Sequence, residues 1–349
     1  MDKRTTFLSH FPGKFFLDAD SPGDLTAHLR SLGWLKPDEY VLSATRPGEG
    51  NMNCVLRINT GTHSFIVKQA RPWVEKYPQI PAPVGRTEVE AIFFDVIGHF
   101  PSVARYTPTL IGYDGNSFLL ATEDLGEGAD YTFLYRKGNR LSDKELTALV
   151  TFISGLHRYA KGAMVDNFPE NHEMRALNHE HIFRFPYMEE NGFDLDQVQP
   201  GLQAVAMKWK TNAALKQKIS TLGDVYLSKG TTLIHGDYYP GSWLKVGDEV
   251  KVIDPEFGFV GYPEFDLAVF IAQMTLAGQG ETVISAILNN YDSGETVDRE
   301  LVAGFAGTEI MRRLIGIAQL PLALSLEEKT LMLEKAASAI GSGKIENLF

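Results

Sequence analysis

Two short segments hold the acids best placed to do chemistry. Ile234-His235-Gly236-Asp237 delivers one carboxylate from the end of an apolar run into a loop, Tyr238-Tyr239-Pro240-Gly241-Ser242. Seventeen residues after Asp237, Ile253-Asp254-Pro255-Glu256-Phe257 delivers two more. Three carboxylates that converge repel one another and need a cation. Hard oxygen donors on loops suit Mg²⁺, which keeps waters and binds substrate phosphates as well. One acid left free of the metal can accept a hydroxyl proton. That arrangement is what phosphoryl transfer requires. Taken singly, each tripeptide reads as a turn or a strand end. Their spacing, after two apolar strands, favours chemistry.

A second group lies earlier in the chain. Gly48-Glu49-Gly50-Asn51-Met52-Asn53 sits between two strand-like runs, where backbone N–H groups can approach phosphate oxygens closely. Asn53 stands where a third glycine completes the kinase form of such a loop. The next strand carries Ile66-Val67-Lys68, whose alternation puts Ile66 and Lys68 on one face. A lysine in an apolar strand needs an acid, and the helix starting at Arg86 offers Glu88 and Glu90. A strand lysine paired with a helix glutamate is the kinase device for gripping α- and β-phosphates. Glu88 is the preferred partner and Glu90 the alternative, since neighbours in a helix do not share a face. Met311-Arg312-Arg313-Leu314 places paired arginines in an apolar helix, either as ion-pair partners or as ligands of substrate hydroxyls or phosphate. His235 reads as a hydrogen-bonder in the loop of Asp237. Asp266 reads as an acceptor of backbone N–H groups that fixes that loop.

The elements that must position these residues change character along the chain. Runs at 41–46, 53–59, 63–70, 110–113 and 118–122 read as strands, with a helix over 86–100. They predict a small antiparallel sheet carrying one helix. Beyond Asp124-Leu125-Gly126 the pattern is helical. Ser142-Asp143-Lys144-Glu145 and Ser325-Leu326-Glu327-Glu328 are capping boxes that open two of these helices. A strand at 232–234 and a hairpin over 243–253 interrupt the helices. The expected division is a lobe over 1–124 and a helical lobe over 125–349.

Composition bounds the partners. The 349 residues include 33 Lys and Arg against 44 Asp and Glu, a formal net charge of −11. That opposes nucleic acid as the main partner, which needs basic surface. The single cysteine, Cys54, excludes an internal disulfide and a cysteine-cluster metal site. The start of the chain lacks the apolar run of a signal peptide, and no apolar stretch is long enough to span a bilayer. A cytoplasmic protein without a membrane partner is expected.

These motifs together resemble the aminoglycoside phosphotransferase and choline kinase superfamily, and within it the methylthioribose kinases. The matching stretches are Gly48–Asn53, Val67-Lys68-Gln69-Ala70, Glu123-Asp124-Leu125, His235-Gly236-Asp237 with Gly241-Ser242, Asp254-Pro255-Glu256-Phe257 and Arg312-Arg313-Leu314-Ile315-Gly316. The resemblance implies an α+β, protein-kinase-like fold of two lobes, the first a small antiparallel sheet and the second larger and mainly helical. It implies ATP and Mg²⁺ as cofactors and a sugar as acceptor, 5-methylthioribose or a related pentose. By position, Asp237 is the catalytic base and Asp254 and Glu256 hold Mg²⁺. Lys68 binds phosphates, and Gly48, Gly50, Asn51 and Asn53 belong to the loop covering them. Adenine meets backbone near Glu123 and Leu125, and Arg312 and Arg313 meet the acceptor. A homodimer is compatible with the resemblance. An aminoglycoside or choline kinase is the alternative, and a non-catalytic binding protein of kinase-like fold a third reading. The chain departs from the methylthioribose kinase pattern where an acceptor is read. Tyr77-Pro78 stands in place of a Trp-Pro loop, and Tyr238-Tyr239-Pro240 in place of Leu-His-Thr.

Overall fold

The computed structural model describes residues 2–48 and 52–349. They fall into two compact units, Met1–Glu127 with Asp254–Glu256, and Gly128–Ile253 with Phe257–Phe349. The division expected at residue 124 thus falls at residue 127. Three residues from far along the chain, Asp254–Glu256, belong with the first unit.

The first unit is built on a five-stranded antiparallel sheet. Its order is Ser43–Thr45, Cys54–Asn59, Ser64–Gln69, Leu119–Glu123 and Leu110–Asp114. Alternation decides its two faces. Leu56, Ile58, Phe65, Val67, Leu119 and Ala121 share one buried cluster with Leu25 and Leu29 of the helix Pro22–Ser31. Lys68, registered between Val55 and Leu120, faces the other way, toward the helix Arg86–Gly98. That helix is buried on most sides, including at Arg86, Thr87 and Glu90. Two helices, Lys3–His10 and Pro22–Ser31, and the short pair Trp73–Val74 with Tyr77–Pro81 lie outside the elements read from sequence.

The second unit is mainly helical. Its centre is the pair Pro263–Leu276 and Arg299–Ile315, each buried along almost its whole length. A helix apolar all round belongs in a core, so its few polar residues stand out: Glu264, Asp266 and Gln273 on the first, Thr308, Glu309, Arg312 and Arg313 on the second. The strand Thr232–Ile234 pairs with Phe259–Gly261, and the hairpin Trp243–Val246 with Glu249–Val252 takes Ala129–Asp130 as a third strand. Among the described residues no helix is long and apolar enough to cross a membrane.

Candidate active site

In the first unit, Lys68 is the hub. Its buried Nζ donates to Glu90 Oε1 at 2.6 Å and also pairs with Asp254 Oδ1. The helix therefore presents Glu90 and not Glu88, which is exposed. The reason is helix phase: packing on the sheet turns Val89, Glu90 and Phe93 inward and leaves Glu88 outside. Burial works against the Lys68 charge, but the two carboxylates outweigh it and hold the ammonium above its usual range.

Asp254 and Glu256 differ in their surroundings. Asp254 has a left-handed backbone, φ 61°, and a side chain 41% exposed. Strained backbone of this kind persists where the surroundings over-determine it, commonly at functional loops. Glu256 is buried. Its Oε2 accepts from Asn53 Nδ2 at 2.9 Å and lies 3.4 Å from Arg86 Nε. Arg86, fully buried, donates to Asn53 Oδ1 at 2.8 Å and to the carbonyls of Met52 and Arg71. Asn53, at the end of the glycine loop, thus ties that loop to Glu256. Burial pushes the Glu256 carboxyl up to about 8, with Arg86 opposing. Lys68 and Arg86 face three carboxylates, Glu90, Asp254 and Glu256, and hard carboxylate donors on a loop fit a divalent cation. Among the described residues no three acids, histidines or cysteines gather into one metal-binding group. Asp254 and Glu256 belong to the first unit and Asp237 to the second.

Other expected nucleotide residues are placed as follows. Gly48 is exposed, just beyond the strand Ser43–Thr45, while Gly50 and Asn51 lie outside the described residues. The Glu123 carboxylate accepts from Thr109 Oγ1 at 2.9 Å, and Leu125 is half-buried. Asp124, between them, is held by Arg57 and Ser64.

In the second unit, the loop of Asp237 is anchored from below. Asp266 is fully buried and accepts from the N–H groups of His235 at 2.6 Å and Gly236 at 2.9 Å. His157 Nε2 lies 3.2 Å from the same carboxylate. Gly236 has φ 80°, and a Cβ there would overlap the carbonyl oxygen of Phe257, so glycine is required. His235 Nε2 bonds the Ile253 carbonyl while its Nδ1 accepts from the Asp237 N–H, a structural role. Ser242 Oγ donates to the Asp237 carbonyl.

Asp237 faces the arginine pair. Its Oδ1 lies 3.7 Å from Arg313 Nη2 and 3.9 Å from Arg312 Nη2. Burial raises its pKa, with Arg313 and Arg312 opposing. Both arginines are buried and held by Glu309: Arg313 Nε donates to Oε1 at 2.7 Å, and Arg312 Nε lies 3.1 Å from Oε2. Gln273 donates to Glu309 at 2.7 Å and accepts from the Tyr135 hydroxyl at 2.6 Å. The Tyr239 ring lies 4.9 Å from the Arg313 guanidinium carbon. Glu309, Gln273, Tyr135 and Asn178, which accepts from Arg312 at 3.2 Å, were not among the residues read from sequence. Only Glu309 had a signal, its spacing of three and four before the arginines. The chemistry available here is an acid beside two fixed cations, suited to deprotonating a hydroxyl and neutralising a growing anion.

The sequence model of the phosphotransferase enzyme family matches residues 43–301. This chain belongs to the phosphotransferase enzyme family. The phosphotransferase is 25% identical over 340 residues to the methylthioribose kinase of Bacillus cereus (strain B4264), covering 85% of this chain and 84% of that protein. It is 27% identical over 377 residues to the methylthioribose kinase of Pectobacterium carotovorum subsp. carotovorum (strain PC1), covering 92% of each. Among solved structures it resembles spectinomycin phosphotransferase APH(9)-Ia in complex with ADP and spectinomycin, with TM-score 0.53 and 13% identity over 95% of this chain and 99% of that one. The likeness shows the fold, an α+β, protein-kinase-like architecture.

Proposed function

We propose that this phosphotransferase moves the γ-phosphate of ATP to a hydroxyl of a small sugar, 5-methylthioribose or a related pentose. The observation that carries the reading is the buried Arg312–Arg313 pair fixed by Glu309 against Asp237. A cationic acceptor such as an aminoglycoside or choline would meet two fixed positive charges there, whereas a neutral sugar meets hydrogen-bond donors. The methylthioribose kinases similar to this chain over most of its length support the same acceptor class.

In this mechanism Asp237 accepts the proton of the attacking hydroxyl as its oxygen bonds to the γ-phosphorus. The bond from phosphorus to the bridging oxygen breaks, and ADP leaves. Arg312 and Arg313 orient the acceptor and neutralise charge that grows on the transferred group. Lys68, kept in place by Glu90, grips the α- and β-phosphates, and the loop from Gly48 to Asn53 covers them. Asp254 and Glu256 would hold Mg²⁺, which neutralises phosphate charge when bound. The backbone of Glu123 to Leu125 meets adenine.

The test is ATP consumption with Mg²⁺ against 5-methylthioribose, ribose and other pentoses, choline and several aminoglycosides. Turnover on a pentose that falls by a factor on the order of 10² or more in Asp237→Asn is expected. Turnover confined to aminoglycosides or choline would replace the sugar acceptor. Normal turnover in Asp237→Asn would remove the base.

A further inference from the structure

A pocket of about 470 Å³ is lined wholly by residues of the second unit, and Asp237, Arg312 and Arg313 are not among them. That volume is in the range of small-molecule sites, about 300–1,000 Å³. Ile284, Leu322, Leu324 and Met332 give it apolar walls. Three cations, Lys137, Arg140 and Lys335, stand in its lining. Glu328 is the one acidic side chain there, and its carboxylate is committed, accepting the Ser325 N–H at 2.8 Å in a helix cap. Arg140 donates to the Gly278 carbonyl. Lys137 and Lys335 make no ion pair among the described residues. In a chain with 44 acids to 33 bases, this lining sets three cations against the single acidic side chain of Glu328, with Phe349, the last residue of the sequence, also at its wall.

Tyr135 joins this pocket to the base. It belongs to the pocket lining, and its hydroxyl donates to Gln273 Oε1 at 2.6 Å. Gln273 Nε2 donates to Glu309 Oε1 at 2.7 Å, and that oxygen also accepts from Arg313 Nε at 2.7 Å. Arg313 Nη2 lies 3.7 Å from Asp237. All four links, Tyr135, Gln273, Glu309 and Arg313, are buried. In so dry a chain, a displaced hydroxyl leaves an acceptor unpaired, which costs more than a lost surface bond.

We propose that this pocket binds a small organic anion with an apolar body, and that its occupancy is felt at Asp237 through Tyr135, Gln273, Glu309 and Arg313. The cations take the anionic group and the apolar walls take the body. The site stands independently of the kinase reading, and only the coupling rests on that reading. Coupling of this kind is reciprocal: whatever the anion does to acceptor affinity, the acceptor does to anion affinity by the same factor.

The probe is 8-anilinonaphthalene-1-sulfonate, titrated into the full chain and read by fluorescence. Saturable binding is expected, weakened about tenfold by Lys137→Glu combined with Lys335→Glu and weakened by added salt, with the melting temperature unchanged. Binding indifferent to both reversals overturns the site. In the second arm, saturating probe changes kcat or the acceptor KM, and Tyr135→Phe keeps probe binding but loses that change. Unchanged rates at saturating probe overturn the coupling. Strict competition between probe and acceptor also overturns it, and makes the pocket part of the acceptor site. If no acceptor in the panel turns over, the kinase reading fails while the binding arm still decides the site.

Discussion

At the scale of single residues, the two glutamates at the start of the helix Arg86–Gly98 separate cleanly. Glu90 holds Lys68 and Glu88 faces solvent. Glu90→Gln should lower kcat and raise the KM for ATP, because the lysine then answers to Asp254 alone. Glu88→Gln should change neither. Equal effects of the two in steady-state kinetics would remove the Lys68–Glu90 pair from the mechanism. The proposed base, Asp237, carries a pH prediction. Burial raises the Asp237 pKa, and Arg313 is the largest opposing influence. A protonated carboxyl cannot accept the hydroxyl proton. Activity therefore falls as pH drops, and the acid limb of kcat/KM lies above the ordinary aspartate value of about 3.9. Arg313→Gln takes away a charge that holds the pKa down, so the limb moves to higher pH. A limb that stays put in the variant would show that Arg313 does not act on Asp237.

At the scale of elements, the helix Asp143–Tyr159 shows how local sequence and tertiary contacts share the work. Its capping box forms as spaced, with Ser142 Oγ accepting the Glu145 N–H at 3.3 Å and Glu145 accepting the Ser142 N–H at 2.8 Å. Glu145 also accepts from Lys245 at 2.8 Å and from the buried Tyr131 hydroxyl at 3.0 Å, which no spacing announces. Burial alone would raise its pKa, but these bonds outweigh it and hold the carboxyl down to about 2. A depressed folded pKa contributes stability above the ordinary glutamate value of 4.5 that is lost as pH falls toward 2. Glu145→Gln should therefore flatten the fall of melting temperature across that window, and Ser142→Ala should cost about 1 kcal/mol at neutral pH. An acid limb unchanged by Glu145→Gln would contradict the assignment. The same division explains what was legible. Strands, capping boxes and the loop of Asp237 rest on neighbours in sequence, whereas Asp266 anchors that loop from 30 residues away. The choice of Glu90 over Glu88 depends on how a nearly all-buried helix is rotated on its sheet. Gln273 and Tyr135 meet across 138 residues, and nothing local marks either.

At the scale of the whole molecule, the threading of the chain has a thermodynamic consequence. The first unit is not continuous in sequence: Asp254–Glu256 belongs to it, while Ile253 and Phe257 on either side belong to the second. Lys68 and the fully buried Arg86 depend on those three residues for carboxylates. Unfolding the second unit would free that segment and leave Arg86 as a buried charge without Glu256, a loss on the order of 3–5 kcal/mol. The first unit therefore should not outlast the second on heating. A chain of this length divided into two units can depart from two-state melting. Here calorimetry is expected to give either one transition or a first unit that melts no later than the second. Mg²⁺ with ATP binds groups of the first unit in the mechanism proposed, so it should raise the melting temperature of that transition. At a hundredfold excess over Kd the gain is about 2.7 kcal/mol. The paired variant Asp254→Ala with Glu256→Ala should lower the first unit's stability and abolish the shift. A first unit that melts above the second, or a full ligand shift retained by the paired variant, would show that this segment neither supports the first unit nor serves its ligand.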